Sequence, residues 1–297
     1  MSFDIEAYLN SLSEDIYSIE IANKGLTYLP DLSRFTKLCF LNCSHNNLTE
    51  LPPLTSNKKL NTLYCGNNKL KKLPPLNENL ELIALHCGYN ELTVLPSLNE
   101  KLITLQCSFN KLKKLPPLNE NLDLFYCDNN LLTELPPLNK MLRHFNCSDN
   151  KLTWLPTLND NLTDFDCSNN KLTWLPPIND KLIHFCCCSN NIYYFPNLNN
   201  IQVFKFYGND FLNNLLNGNV YYKYWHQSIC KKIKNDIEII NNFRYTFYAQ
   251  RFRLQFKKWL WEKVREPKIM KQFHPDHLTA LNETDDLEVF LEKWIKK

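Results

Sequence analysis

The stretch LDLFYCDNNLLTELPPLNKM, residues 122–141, is one copy of a frame that recurs along most of this 297-residue chain. The skeleton is Leu-x-x-Leu/Phe-x-Cys-x-x-Asn-x-Leu-x-x-Leu-Pro. Its cysteines mark the period: Cys43, Cys65 and Cys87 stand 22 residues apart, and Cys107, Cys127, Cys147, Cys167 and Cys187 follow at intervals of 20. A fixed period of this length means stacked units, each too small to bury its own apolar face. Nine copies keep most of the frame, beginning at Leu38, Leu60, Leu82, Leu102, Leu122, Leu142, Leu162, Leu182 and Ile201. A degenerate copy, IYSIEIANKGLTYLPDL at residues 16–32, precedes them.

Each position in the frame has a physical reading. The Leu-x-Cys alternation has period two, so residues such as Leu63 and Cys65, or Phe145 and Cys147, lie on the buried face of a short strand. Stacked copies then form a parallel sheet with strands about 4.8 Å apart. The asparagines that follow, Asn46, Asn68, Asn90, Asn110, Asn130, Asn150, Asn170, Asn190 and Asn209, fall where the chain turns inward. A buried amide there serves backbone groups of its own and the neighbouring turn, a structural role. The second half, Leu-x-x-Leu-Pro-Pro-Leu-Asn, cannot hold a helix because proline forbids a helix interior. It predicts an extended, polyproline-like segment.

These units resemble the short leucine-rich repeats of bacterial effector proteins, which also run Leu-x-x-Leu-Pro-x-Leu. The resemblance covers residues 38–200. It implies a leucine-rich-repeat solenoid with a parallel β-sheet on the concave face, an extended convex side and an α-helical C-terminal cap. Three regions are expected: an N-terminal helical cap at 1–15, about ten repeats of 19–22 residues at 16–211, and a basic, aromatic-rich helical region at 212–297. In the first, FDIEAYLNSL is predicted helical, with Phe3, Ala7, Tyr8 and Leu12 turned to the first strand. Phe204, Phe206 and Phe211 need a cover at the other end, because a terminal repeat leaves an apolar face open.

The C-terminal region shifts to helical spacing from Val220. Helices are expected near residues 220–234, 236–264 and 285–296, with Pro267 interrupting the second. Residues 212–297 carry 16 Lys and Arg against 10 Asp and Glu. Such a basic surface suits nucleic acid or an acidic partner, although a cap helix with a solvated basic face is the preferred reading. His274-Pro275-Asp276 is similar to the tripeptide of J-domain co-chaperones, but that domain's first helix is absent. The stretch FKKWLWEKVREPKIMKQFHPDHL looks like the closing segment of many giant-virus proteins. Gly is scarce at five residues while Asn, Lys, Ile, Tyr and Phe abound, a usage that looks like an AT-rich coding sequence; with its Asn-rich repeats, the chain resembles the leucine-rich repeat proteins of mimivirus-like viruses.

The amino terminus has no apolar stretch of secretory length, which favours a cytoplasmic or virion protein. The 12 cysteines are then expected as thiols. Zinc at Cys186, Cys187 and Cys188 is set aside, since Cys187 is a core position and no Cys-x-x-Cys pair completes a tetrahedral site. No catalytic constellation, cofactor or metal is expected.

The varying positions are the outward ones. One column reads Asn42, Tyr64, His86, Gln106, Tyr126, Asn146, Asp166, Cys186, Lys205; another reads Phe40, Thr62, Ala84, Thr104, Leu124, His144, Asp164, His184, Val203. A third, mostly small, includes Gly66, Gly88, Ser108, Asp128, Ser148 and Cys188, and is expected to leave the floor open. Expected partner contacts are Tyr64, His86, Tyr89, Gln106, Phe109, Tyr126, Asp128, Asn146, Asp149 and Asp166. Aromatics of this kind are enriched at binding hot spots. Asp123, Asp128, Asp149, Asp164 and Asp166 form an acidic stretch suited to a basic segment. His144, Asp164 and His184 read as a His–Asp–His ladder or a divalent-metal site, the ladder preferred. Trp154, Trp174 and Tyr194 read as a docking edge for the C-terminal helices. The expected function is a non-enzymatic protein-interaction scaffold for a host or virion protein. The alternatives are a substrate-recognition adaptor for a ubiquitin ligase and a nucleic-acid-associated protein acting through its basic tail.

Overall fold

A computed structural model describes residues 3–76, 81–192, 195, 196, 198 and 200–209. The expected C-terminal helices, Phe211 and Tyr194 lie outside the described residues. Ten three-residue strands follow one another in chain order: β1 (Ser18–Glu20), β2 (Phe40–Asn42), β3 (Thr62–Tyr64), β4 (Ala84–His86), β5 (Thr104–Gln106), β6 (Leu124–Tyr126), β7 (His144–Asn146), β8 (Asp164–Asp166), β9 (His184–Cys186) and β10 (Val203–Lys205). All pair in parallel with their chain neighbours in one sheet, order β1 to β10. Register never slips: Leu63 stands between Leu41 and Leu85, and Tyr126 between Gln106 and Asn146. A one-residue slip would turn every leucine of the column to solvent, so the repeat pattern itself holds the register.

The middle residue of every strand is buried, and its two neighbours face outward. From Phe125 onward the middle position changes from Leu to Phe. Phe125, Phe145, Phe165, Phe185 and Phe204 then stack with centroids 5.5 to 5.6 Å apart. The frame cysteines Cys43, Cys65, Cys87, Cys107, Cys127, Cys147, Cys167 and Cys187 lie two positions after the middle residue of each strand and are wholly buried. Backbone pairing runs on past the strand, Cys107 N donating to Tyr126 O at 2.8 Å and Phe109 N to Asp128 O at 3.0 Å.

At each turn from His45 to Gly208 the residue before the asparagine adopts a positive φ, from 50° at Ser189 to 72° at Gly208. That reversal swings the following amide into the interior. Asn150 is typical. Its Nδ2 donates to the carbonyls of Cys127, Cys147 and Ser148 at 3.0, 3.2 and 3.0 Å. Its Oδ1 accepts from Leu132 N at 2.9 Å. One side chain therefore closes its own turn and the preceding one.

A second asparagine ladder, absent from the sequence reading, follows the Leu-Pro-x-Leu segment. Asn139 Nδ2 donates to Asn119 O at 2.7 Å and Leu122 O at 2.9 Å, and its Oδ1 accepts from Leu142 N at 2.8 Å. Asn159 and Asn179 repeat the arrangement. Between the two ladders the described chain is extended, with neither helix nor long strand, and buries leucines such as Leu95, Leu135 and Leu155.

The amino end is closed by α1 (Ile5–Ser11), capped by the Asp4 carboxylate, which accepts from Ala7 N at 3.0 Å. Ile5 and Leu9 are its buried residues, with Phe3, Tyr8 and Leu12 packed beside them. Ala7 is exposed, contrary to expectation. The i, i+4 pair Ile5–Leu9 centres the buried stripe on the helix face opposite Ala7. At the other end Phe195 meets Phe204 edge-on at 5.9 Å, and both are buried with Phe206.

Candidate protein-docking face

The outward columns fall in strict file because parallel register carries each residue onto its equivalent 20 or 22 positions away. Tyr64 and His86 are Cα partners, and their rings stack at 4.3 Å with planes 15° apart. Phe40 meets Tyr64 edge-on at 5.3 Å. Beyond the strands, Tyr89 and Phe109 stack at 4.1 Å and 9°. Tyr64, His86, Tyr89 and Phe109, with Gln106 and Gly88, line a shallow groove of about 370 Å³. Partial burial draws the His86 imidazole below its ordinary pKa, so it carries less charge near neutrality.

Tyr89 and Phe109 are 50% and 39% exposed and hold φ of 54°. Other turns place Asn, Asp, His, Ser or Gly there, residues that tolerate the left-handed region better than a bulky aromatic does. Each aromatic therefore carries a backbone cost of roughly 1–3 kcal/mol.

The column of small residues has a packing origin as well as an open floor. A Cβ on Gly66 would stand 3.1 Å from Gly88 O, and one on Gly88 3.1 Å from Ser108 O. The carbonyl of the next repeat limits what fits.

The acidic stretch is more self-engaged than its composition suggests. Arg143 grips Asp123 through two nitrogens, Nε to Oδ1 at 2.6 Å and Nη2 to Oδ2 at 2.5 Å. That contact holds the Asp123 carboxyl below its usual pKa. Asp164 lies between two imidazoles, 2.6 Å from His184 Nδ1 and 3.2 Å from His144 Nδ1. Two rings on one carboxylate make a ladder, and among the described residues no group of three His, Cys, Asp or Glu is placed to hold a metal ion. Asp128 is buried, only 9% exposed, and takes hydrogen bonds from Ser108 Oγ and Asn129 Nδ2. Asp166 is half-buried and accepts from Ser168 N at 2.9 Å; burial raises its pKa. Asp149 sits at a left-handed turn. Tyr126, Asn146 and Asp166 line a second groove of about 340 Å³ with His144, His184 and Cys186. Trp154 and Trp174 are each 43% exposed at the far edge.

Two features escaped the sequence reading although the spacing held them. Asp123 and Arg143 are 20 residues apart, hence neighbours in one column. Cys186 and Cys188 are two apart and share a side of the chain, with Sγ atoms 3.6 Å from each other.

A family model described as leucine rich repeats (2 copies) matches residues 36–78. This is a leucine-rich-repeat solenoid. Among solved structures it is similar to YopM from Yersinia enterocolitica WA-314, at 34% identity and TM-score 0.59, over 62% of this chain and 40% of that one. The leucine-rich-repeat domain of a Shigella effector shares 30% identity over 56% of this chain and 72% of that one, with TM-score 0.47. The leucine-rich-repeat domain of APL1B, at 22% identity and TM-score 0.57, covers 69% of this chain and 65% of that one, a likeness of fold. The chain thus spans less than half the length of the Yersinia protein. No curated protein sequence matches it. The repeats are similar to those of bacterial effector proteins, and solenoids of this fold are in general non-enzymatic binding scaffolds. Among the described residues no helix is long and apolar enough to cross a membrane.

Proposed function

We propose that the outward face of the sheet docks a protein partner, with Tyr64, His86, Tyr89 and Phe109 as its apolar centre. The observation that carries this reading is the pair Tyr89 and Phe109, exposed and stacked on backbone that disfavours them. Gln106, Tyr126 and Asn146 extend the surface along the register. Asp149 and Asp166 supply acidic character beyond the aromatics, which suits a partner segment with an apolar part followed by a basic one. Asp128 contributes to the shape of the floor. The solenoid supplies a rigid frame, and the side chains that change from repeat to repeat supply selectivity.

The setting is part of the proposal. Composition and the closing stretch of the C-terminal region resemble giant-virus proteins, so the partner is sought among host factors and virion components. The protein would act in the host cytoplasm or the virion.

The test begins with the full chain and a partner recovered from host-cell lysate, then rebinding with both proteins pure. Tyr64→Ala and Phe109→Ala are each expected to weaken rebinding by about 30-fold, a hot-spot loss of roughly 2 kcal/mol. Lys113→Ala, on an exposed position away from the sheet, should leave it unchanged. Rebinding indifferent to Tyr64 and Phe109 would refute the assignment of this face.

A further inference from the structure

Cys186 ends β9 on the outward face and lines the second groove. Cys188 follows two residues later on the same side, only 2% exposed, so its thiol sits beneath that of Cys186. Cys187 between them turns the other way, into the core, where it completes the cysteine column. The two sulfurs on the outer side are 3.6 Å apart. No covalent bond joins them; a disulfide between them would shorten that separation to about 2.05 Å. Ser168 of the preceding repeat braces both residues: its Oγ lies 3.0 Å from Cys186 Sγ and accepts from Cys188 N at 3.2 Å.

Their chemistry differs from that of the core column. Burial pushes Cys43 and Cys87 up to about 12 and the other core thiols well above the ordinary value. Such thiols are neutral and sealed from reagents. Cys186 goes the opposite way, down to about 7. The hydrogen bond from the Cys188 thiol contributes most, with Ser168 helping against burial and Asp166. Cys188, as the donor, is pushed up. This is the division of labour that thiol–disulfide exchange requires, an accessible thiolate beside a protonated resolving thiol.

We propose that Cys186 and Cys188 form a redox-active dithiol on the outward face, closing to an intramolecular disulfide at the expense of a small disulfide such as glutathione disulfide. The Cys186 thiolate attacks one sulfur of the reagent, forming a mixed disulfide and releasing one thiolate. Cys188 gives up its proton to that leaving thiolate. Its sulfur then attacks Cys186 Sγ and expels the second thiolate, which takes a proton from water. Two protein thiols lose two electrons in total, and one reagent disulfide becomes two thiols. Cys186 is the attacking residue because it reaches solvent; Cys188 resolves because it is covered.

The test equilibrates the full chain in buffers of rising oxidised-to-reduced glutathione ratio, quenches with acid, alkylates and maps the peptide spanning residues 182–205. Wild type should lose two alkylatable thiols of the three in this peptide together, without retained glutathione, and recover them on reduction. Cys188→Ser should trap glutathione on Cys186, whereas Cys186→Ser should take up none and form no bridge. An unchanged melting temperature shows that each serine variant is folded. Three alkylatable thiols at every ratio would overturn the proposal, as would a bridge that persists in Cys186→Ser.

Discussion

The rings of Tyr89 and Phe109 lie face to face, 4.1 Å between centroids and 9° from parallel, on two turns that each hold φ at 54°. They are consecutive members of the turn column, and the repeat distance brings them into contact. Stacking recovers about 0.5–1.5 kcal/mol for such a pair. Two left-handed bulky residues together cost more, roughly 1–3 kcal/mol each. The pair is therefore a net burden on the isolated fold, which is why it marks the centre of the proposed docking face.

Replacing Tyr89 with asparagine should make that burden visible. Asn67 and Asn129 occupy the same turn position at φ of 52°. Tyr89→Asn relieves one strained residue and loses one stack, so unfolding stability should hold or rise by up to about 1 kcal/mol. Partner affinity should fall at the same time. A fall of more than about 1 kcal/mol in the unfolding free energy from urea titration would show that the ring supports the fold.

The amide ladder gives a second expectation. Asn150→Ala strips a hydrogen bond from three carbonyls and from Leu132 N–H, all in the interior. Each carbonyl keeps a second donor, Asn130 Nδ2 on Cys127 O, Asn170 Nδ2 on Cys147 O and Asn129 N on Ser148 O, so Leu132 N–H is the group left unsatisfied and the loss should be about 1–3 kcal/mol. Amide exchange should quicken first in the turns of residues 127–132 and 147–152. Asn121→Ala removes an exposed bond to Glu100 O and should cost less than about 1 kcal/mol. Equal losses at the two sites would contradict the assignment of burial.

The core thiols predict alkaline lability. An unfolded thiol ionises near ~8.5, whereas Cys43 and Cys87 are held up to about 12 by burial. With the folded value raised, the stability is fully present below ~8.5 and is lost as pH rises from there towards 12. The other core cysteines move in the same direction, so the losses accumulate. Thermal melting between pH 7 and pH 10 should show a steep fall that Cys127→Ala and Cys147→Ala together make shallower. A melting temperature level across that interval would contradict neutral, buried thiols.

Much of the molecule could be read from residues 122–141 and their copies. The alternation around Cys127 placed Phe125 inward and Tyr126 outward, and the fixed spacing then placed Asn146 beside Tyr126. The outward columns follow from the same counting, so nearly all the proposed contacts are where the register puts them. Side-chain geometry was less legible. Asp128 lies in a column read as open floor, but its carboxylate turns to Ser108 and Asn129. Asp123 read as free acidity until Arg143 reached it across one repeat. Ala7 read as buried because a seven-residue helix offers few positions to fix its rotation. The column read as open is also narrowed by the approach of Gly88 O to Gly66.

From residue order alone come the number of units, their direction, their register and the set of side chains turned inward, because a strand alternates by two and each apolar face needs a copy beside it. Folding in three dimensions decided the rest: which outward groups pair with each other, which turns hold bulky rings at positive φ, and which two thiols meet. Those outcomes depend on separations of a few ångströms across stacked repeats, and only the assembled stack sets them.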